Sequence, residues 1–128
     1  MAIRVLSVKN IVVVEDSPIV AAHIKSCLES MGCNVQGMFK SGEDAIQFLG
    51  HEPSPDLILM DVMLDGKLDG VETVEKIHSS YDLSVVYITA LSDRESLKRM
   101  EATNPSGYIM KPFQEDHFTE VVENALRK

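Results

Sequence analysis

The stretch Asp56-Leu57-Ile58-Leu59-Met60-Asp61 constrains the fold of this chain more than any other. Four consecutive apolar residues, with Pro53 and Pro55 just before them, have the pattern of a strand buried on both faces of a parallel sheet. The run stops on a carboxylate, and an acid ending a doubly buried strand is costly without a partner. A second run, Ile11-Val12-Val13-Val14-Glu15-Asp16, has the same design and ends on two acids. Val85-Val86-Tyr87-Ile88 ends on Thr89, and Tyr108-Ile109-Met110 ends on Lys111. Ligands of open α/β sheets bind outside the carboxyl ends of the strands, near the switch point in strand order, so these polar groups converge on one site.

Between the strands the helix signals are equally regular. Ser17 caps and Pro18 opens a helix whose apolar face is Val20, Ile24, Cys27, Leu28 and Met31, and Gly32 ends it. Val35 to Met38 is mixed in polarity and contains Gly37, which suits a sheet edge. Ser41-Gly42-Glu43-Asp44 has capping-box form before a helix carrying Ala45, Ile46 and Leu49 and ending near Gly50. A loop from Val62 to Asp69 leads into a helix from Gly70 to His78. Ser92-Asp93-Arg94-Glu95 reads as another capping box, opening a helix from Ser92 to Ala102 with only Leu97 and Met100 as apolar anchors. The last helix, Glu115 to Leu126, places Phe118, Val121, Val122, Ala125 and Leu126 on one face. Five strands alternating with five helices predict a doubly wound, flavodoxin-like α/β domain with strand order 2-1-3-4-5.

With 128 residues, one domain is expected, its core running from about residue 10 to residue 127 and residues 1–9 forming an N-terminal extension. That extension is too short and too polar for a secretory signal, and no apolar run approaches a membrane span. The expected location is the cytoplasm, with no membrane partner. A formal charge of −8 argues against direct nucleic-acid binding and fits a protein that meets a cation. Cys27 and Cys33 form neither a C-x-x-C pair nor a set with histidine, and read as reduced thiols. His23, His51, His78 and His117 are scattered and are assigned no chemistry.

In the order 2-1-3-4-5 the first and third strands are neighbours, so Glu15, Asp16 and Asp61 gather as three carboxylates. Like charges this close repel, and a hard divalent cation with oxygen ligands relieves the repulsion. The cluster reads as a Mg²⁺ site. Lys111 and Thr89 add a positive charge and a hydroxyl suited to phosphoryl oxygens, and Asp61 is the natural nucleophile of aspartyl-phosphate chemistry. Each residue has a plainer reading: Asp16 as a helix cap, Thr89 as a strand terminator bonded to backbone, Lys111 as a solvated lysine. Four strand ends bearing matched groups outweigh those readings together.

On these residues the chain resembles the receiver domains of two-component signalling, from Asn10 to Leu126. Val12-Val13-Val14-Glu15-Asp16-Ser17-Pro18 resembles the family's acidic-pair turn and Pro55 to Asp61 its phospho-acceptor strand. Ile88-Thr89-Ala90 resembles the hydroxyl strand end, and Tyr108-Ile109-Met110-Lys111-Pro112-Phe113 the lysine strand end. The resemblance implies that Asp61 accepts a phosphoryl group from a sensor histidine kinase or phosphotransfer domain. It implies Mg²⁺ held by Asp16, Asp61 and the main-chain carbonyl of Met63, with Glu15 acting mostly through water. Thr89, Lys111 and the Ala90 N–H would hold the phosphoryl oxygens, Lys111–Pro112 would be a cis peptide, and Tyr108 would be the aromatic switch. Output would pass through the fourth helix, last strand and last helix, to an output domain or a homodimer. The unit would catalyse only its own phosphorylation and dephosphorylation.

Two departures stand out. Glu15 stands where Asp is commoner. After Asp61, Asp65 takes the place of the usual Pro and Asp69-Gly70 comes one residue late, lengthening that loop by one. Rival readings are weaker. A Mg²⁺-dependent phosphohydrolase with an aspartyl-phosphate intermediate carries a second Asp two residues after its nucleophile, where Met63 stands here. A flavin-binding protein has a Ser/Thr/Gly-rich loop after its first strand, and none follows here. A degenerate, docking-only receiver does not need the intact set Asp16, Asp61, Thr89 and Lys111. The sequence ends at Lys128 directly after the last helix. No output domain is therefore expected within it, and the unit acts alone by docking or is one domain of a larger protein.

Overall fold

The structure, a computed structural model, describes residues 8–51 and 53–127. Its elements are β1 (Asn10–Val14), α1 (Pro18–Ser30), β2 (Asn34–Phe39), α2 (Gly42–Leu49), β3 (Leu57–Met60), α3 (Gly70–His78), β4 (Val85–Thr89), α4 (Arg94–Glu101), β5 (Gly107–Met110) and α5 (Glu115–Leu126). The five strands pair in parallel in the order β2-β1-β3-β4-β5, as the alternation of strands and helices predicts.

Alternation along each strand divides the core in two. Ile11, Val13, Leu57 and Leu59 face α1 and α5, where Ile24, Leu28, Phe118 and Val122 are fully buried. Val12, Val14, Ile58 and Met60 face the opposite side, packing with Leu49 of α2, Val74 and Ile77 of α3 and Met100 of α4. β1, β3 and β4 therefore lie between two helical layers, which is why their sequences are apolar without alternation. β2 is the edge strand expected from its polarity, but it runs from Asn34 to Phe39, longer than its apolar pattern suggests. Its pairing with β1 shifts between Ile11 and Val12, where Val35 and Gly37 are the successive partners, and Gln36 is left to donate from Nε2 to the Pro53 carbonyl at 2.8 Å.

Helix ends follow side-chain chemistry. Ser17 accepts from the Val20 N–H, Pro18 fills the first turn of α1, and Gly32 beyond its end sits at φ +81°. Ser92 does not cap α4. The cap of α4 is Asp93, whose carboxylate accepts the Ser96 N–H at 3.0 Å, so the helix begins at Arg94 and Ser92 lies before it. Asp and Ser are comparable caps, and the apolar spacing from Leu97 to Met100 does not fix which one starts the turn. α4 is anchored by one fully buried side chain, Met100. Behind it the Tyr87 hydroxyl meets Thr103 Oγ1 at 2.8 Å, and burial pushes that phenol up to about 12.

Candidate functional site

The parallel ladder carries each strand's polar terminus to one edge of the sheet. The Asp61 N–H donates to the Val14 carbonyl at 2.9 Å and the Lys111 N–H to the Thr89 carbonyl at 2.9 Å, so pairing continues one residue past β3 and β5. Glu15, Asp16 and Asp61 consequently meet, each offering a carboxylate oxygen within 4.8 Å of the others. Glu15 and Asp61 are 2% and 4% exposed, a burial that carboxylates tolerate only when paired.

The partner is Lys111. Its Nζ donates to Glu15 Oε1 at 2.7 Å and to Asp61 Oδ2 at 3.0 Å. Burial pulls the ammonium's pKa down, and the bonds to Glu15 and Asp61, with their charges, outweigh that and leave it above the ordinary lysine value. The remaining oxygens are also occupied: Glu15 Oε2 accepts the Ser17 N–H at 3.0 Å and Asp61 Oδ1 the Val62 N–H at 2.8 Å. Asp16 is less satisfied. Burial, then a side-chain hydrogen bond and repulsion from Glu15, push its carboxyl up. Three carboxylates against one ammonium leave two uncompensated negative charges on an all-oxygen donor set, a set that fits Mg²⁺.

Thr89 is buried at the end of β4, and its Oγ1 accepts the Leu91 N–H at 3.1 Å, which leaves its own proton free to donate. Ala90 is exposed beside it, and the Lys111–Pro112 bond is cis. Tyr108 is half-buried, its ring centroid 6.3 Å from that of Tyr87. Met63 is 65% exposed, and it lines with Asp16, Leu91 and Arg99 a cavity of about 360 Å³ between the β3–α3 and β4–α4 loops. Gly70 closes the loop's far end. A Cβ there would fall 1.9 Å from the Asp61 carbonyl oxygen, so only glycine lets α3 start this close to the acid.

Two features were not legible from motif order. Asp69 both caps α3, with Glu72 completing the box, and accepts from Arg99 of α4 at 2.8 Å. Glu43, read only as part of a cap, receives two N–H groups of the β3–α3 loop. The Asp69-x-x-Glu72 spacing announces the capping box; nothing in the sequence pairs Arg99 or Glu43 with their targets.

An acid cluster, a half-buried lysine and a hydroxyl at the carboxyl edge of a 2-1-3-4-5 sheet are the parts of a phosphoryl-signalling α/β domain. Residues 11–123 match the response regulator receiver domain, and the chain belongs to that family. It is 29% identical over 117 residues to the phyllosphere-induced regulator PhyR of Methylorubrum extorquens, covering 91% of this chain and 43% of that one. Among solved structures, the signal receiver domain of a modulated diguanylate cyclase from Desulfovibrio desulfuricans is 36% identical with a TM-score of 0.86, over 94% of this chain and 95% of that one. The signal receiver domain of a histidine kinase from Syntrophus aciditrophicus is 30% identical with a TM-score of 0.82, over 93% and 90% of the two chains. The chain spans about half the length of the curated relatives it matches, between 43% and 58% of each. Among the described residues no helix is long and apolar enough to cross a membrane.

Proposed function

We propose that Asp61 is the phospho-acceptor of this receiver, taking a phosphoryl group from a phosphohistidine of a sensor kinase or phosphotransfer domain in the cytoplasm. The observation that carries the reading is Lys111 bridging Glu15 and Asp61 inside a cluster of three carboxylates. As a carboxylate oxygen of Asp61 bonds to phosphorus, the phosphorus–nitrogen bond to the donor imidazole breaks and the imidazole leaves. Lys111, already 3.0 Å from Asp61, would bind the transferred oxygens, and the Thr89 hydroxyl and the Ala90 N–H, at the end of the neighbouring strand β4, would join it. Asp16, Asp61 and the Met63 carbonyl would hold Mg²⁺, with Glu15 beside them; when bound, the ion offsets negative charge that otherwise repels the incoming group.

Thr89 exchanges its Leu91 contact for the phosphoryl group, and the half-buried Tyr108 turns into the space it leaves. The change emerges on the face made by α4, β5 and α5, where a single fully buried side chain holds α4. An output domain or a second copy of the chain reads that face. Uptake from a small phosphodonor, followed by intact mass, tests the reading: it requires millimolar Mg²⁺ and stops when the metal is chelated. Uptake that ignores chelation contradicts the Mg²⁺ assignment.

Lifetime of the phosphorylated state follows from the cavity beside Asp16. Met63 and Leu91, two places after Asp61 and Thr89, line it, and neither side chain orients water by a strong hydrogen bond. Met63→Asn and Leu91→Gln are expected to speed loss of phosphate several-fold while leaving Mg²⁺ affinity unchanged. Decay at the parent's rate in both variants would remove shielding as the cause.

A further inference from the structure

The loop between β3 and α3 is held from outside as well as at its ends. Its ends meet where the Gly70 N–H donates to the Val62 carbonyl at 2.7 Å. Its middle is seized by Glu43, in the first turn of α2: Oε2 accepts the Lys67 N–H at 2.9 Å and Oε1 the Leu68 N–H at 3.4 Å. Beside this clasp the Asp65 N–H donates to the Lys40 carbonyl at 3.3 Å, and Ser41 and Asp65 form an isolated parallel bridge. Gly66 sits at φ +90°, and a Cβ there would lie 2.7 Å from Glu43 Oε2, so the loop folds over the carboxylate only with glycine at this place. The commonplace role for an acid in a first helical turn is to complement the helix dipole. Asp44 offers the same charge in the same turn and is exposed, so that role does not account for Glu43 reaching across to the loop.

We propose that Glu43 is a positioning residue for the metal site. By clasping residues 67 and 68 it fixes the loop, and with it the Met63 main-chain carbonyl, at the spacing a small octahedral ion demands. It thereby sets a preference for Mg²⁺ over Ca²⁺, which tolerates longer and more variable ligand distances. The inference rests on the proposed Mg²⁺ site. Groups hydrogen-bonded to metal ligands typically change affinity about tenfold or more when removed, and Glu43 acts one step further out, through the loop backbone. Glu43→Gln keeps the size of the side chain but turns one of the two accepting oxygens into an N–H₂ facing an N–H.

The test is calorimetric titration of the whole chain with MgCl₂ and, separately, CaCl₂, alongside melts without metal. The proteins are the parent, Glu43→Gln, Gly66→Ala and Asp44→Asn. Glu43→Gln is expected to weaken Mg²⁺ binding about tenfold and Ca²⁺ binding less, lowering the ratio of the two affinities. Gly66→Ala, which strains the loop backbone at φ +90° and crowds the Glu43 carboxylate, is expected to lower the same ratio, and Asp44→Asn to leave it unchanged. Equal weakening of both metals by Glu43→Gln overturns the proposal, as does an equal effect from Asp44→Asn; the carboxylate then acts as general charge or as a fold contact. If Glu43→Gln melts below the working temperature, Gly66→Ala decides alone, and an unchanged ratio there overturns the clasp. A parent that binds no Mg²⁺ overturns the metal site itself and the clasp with it, whereas a parent that binds Mg²⁺ leaves that site standing whatever the variants do.

Discussion

Lys111→Met is expected to lower the stability of the metal-free protein by about 3 kcal/mol and to suppress phosphoryl uptake. The Lys111 side chain is 19% exposed, while those of Glu15 and Asp61 are 0% and 5% exposed. Removing it strands two buried carboxylates without a cation. Breaking a buried pair from one side costs roughly 3–5 kcal/mol, and the partial exposure of the ammonium places this case at the lower end. Because the folded-state pKa of Lys111 is raised above 10.5, its contribution is fully present below 10.5 and is lost as pH rises through the folded value. The gap between parent and variant in urea unfolding should therefore hold from neutral pH up to that point and narrow above it. Mg²⁺ should recover part of the loss. Equal stability of the two proteins at neutral pH would mean that Lys111 does not hold the cluster together.

Asp16→Asn is expected to do the opposite without metal and to erase the response to it. The Asp16 carboxyl is pushed above its ordinary 3.8, so the folded state holds that proton more tightly than the unfolded chain does. Its favourable contribution is complete below 3.8 and is lost as pH rises through the folded value; at neutral pH the ionised group costs stability. An amide carries no such cost, so the variant should melt higher than the parent at neutral pH in chelator. Mg²⁺ binding only the native state at ten times its dissociation constant adds about 1.4 kcal/mol to the parent, and this gain should vanish in Asp16→Asn. A variant that still gains with Mg²⁺ would place the ion elsewhere.

The architecture was legible because its signals are local. β1, β3 and β4 read as apolar runs ending on Glu15, Asp61 and Thr89, and the ladder that joins them follows from strands buried on both faces. Gathering the three carboxylates needed only the strand order. What the sequence does not carry is pairing at distance. Lys111 meets Glu15 across 96 positions, and motif order alone does not say that the two share a bond. Glu43 and Arg99 are ordinary helical charges until α2 and α4 are placed against the β3–α3 loop, where they meet Lys67, Leu68 and Asp69. The cap of α4 lies one residue beyond the one its sequence suggests because Ser92 and Asp93 are both good caps and only backbone geometry selects between them.

Asp61, among the acids of this cluster, is expected to carry the phosphoryl group. The parent and Asp61→Asn are incubated with a small phosphodonor and Mg²⁺, and intact mass is read with peptide mapping of the modified residue. One phosphoryl group is expected on the parent, mapped to Asp61, and none above background on Asp61→Asn. Undiminished single phosphorylation of Asp61→Asn, or mapping of the parent's group to Glu15 or Asp16, would contradict it.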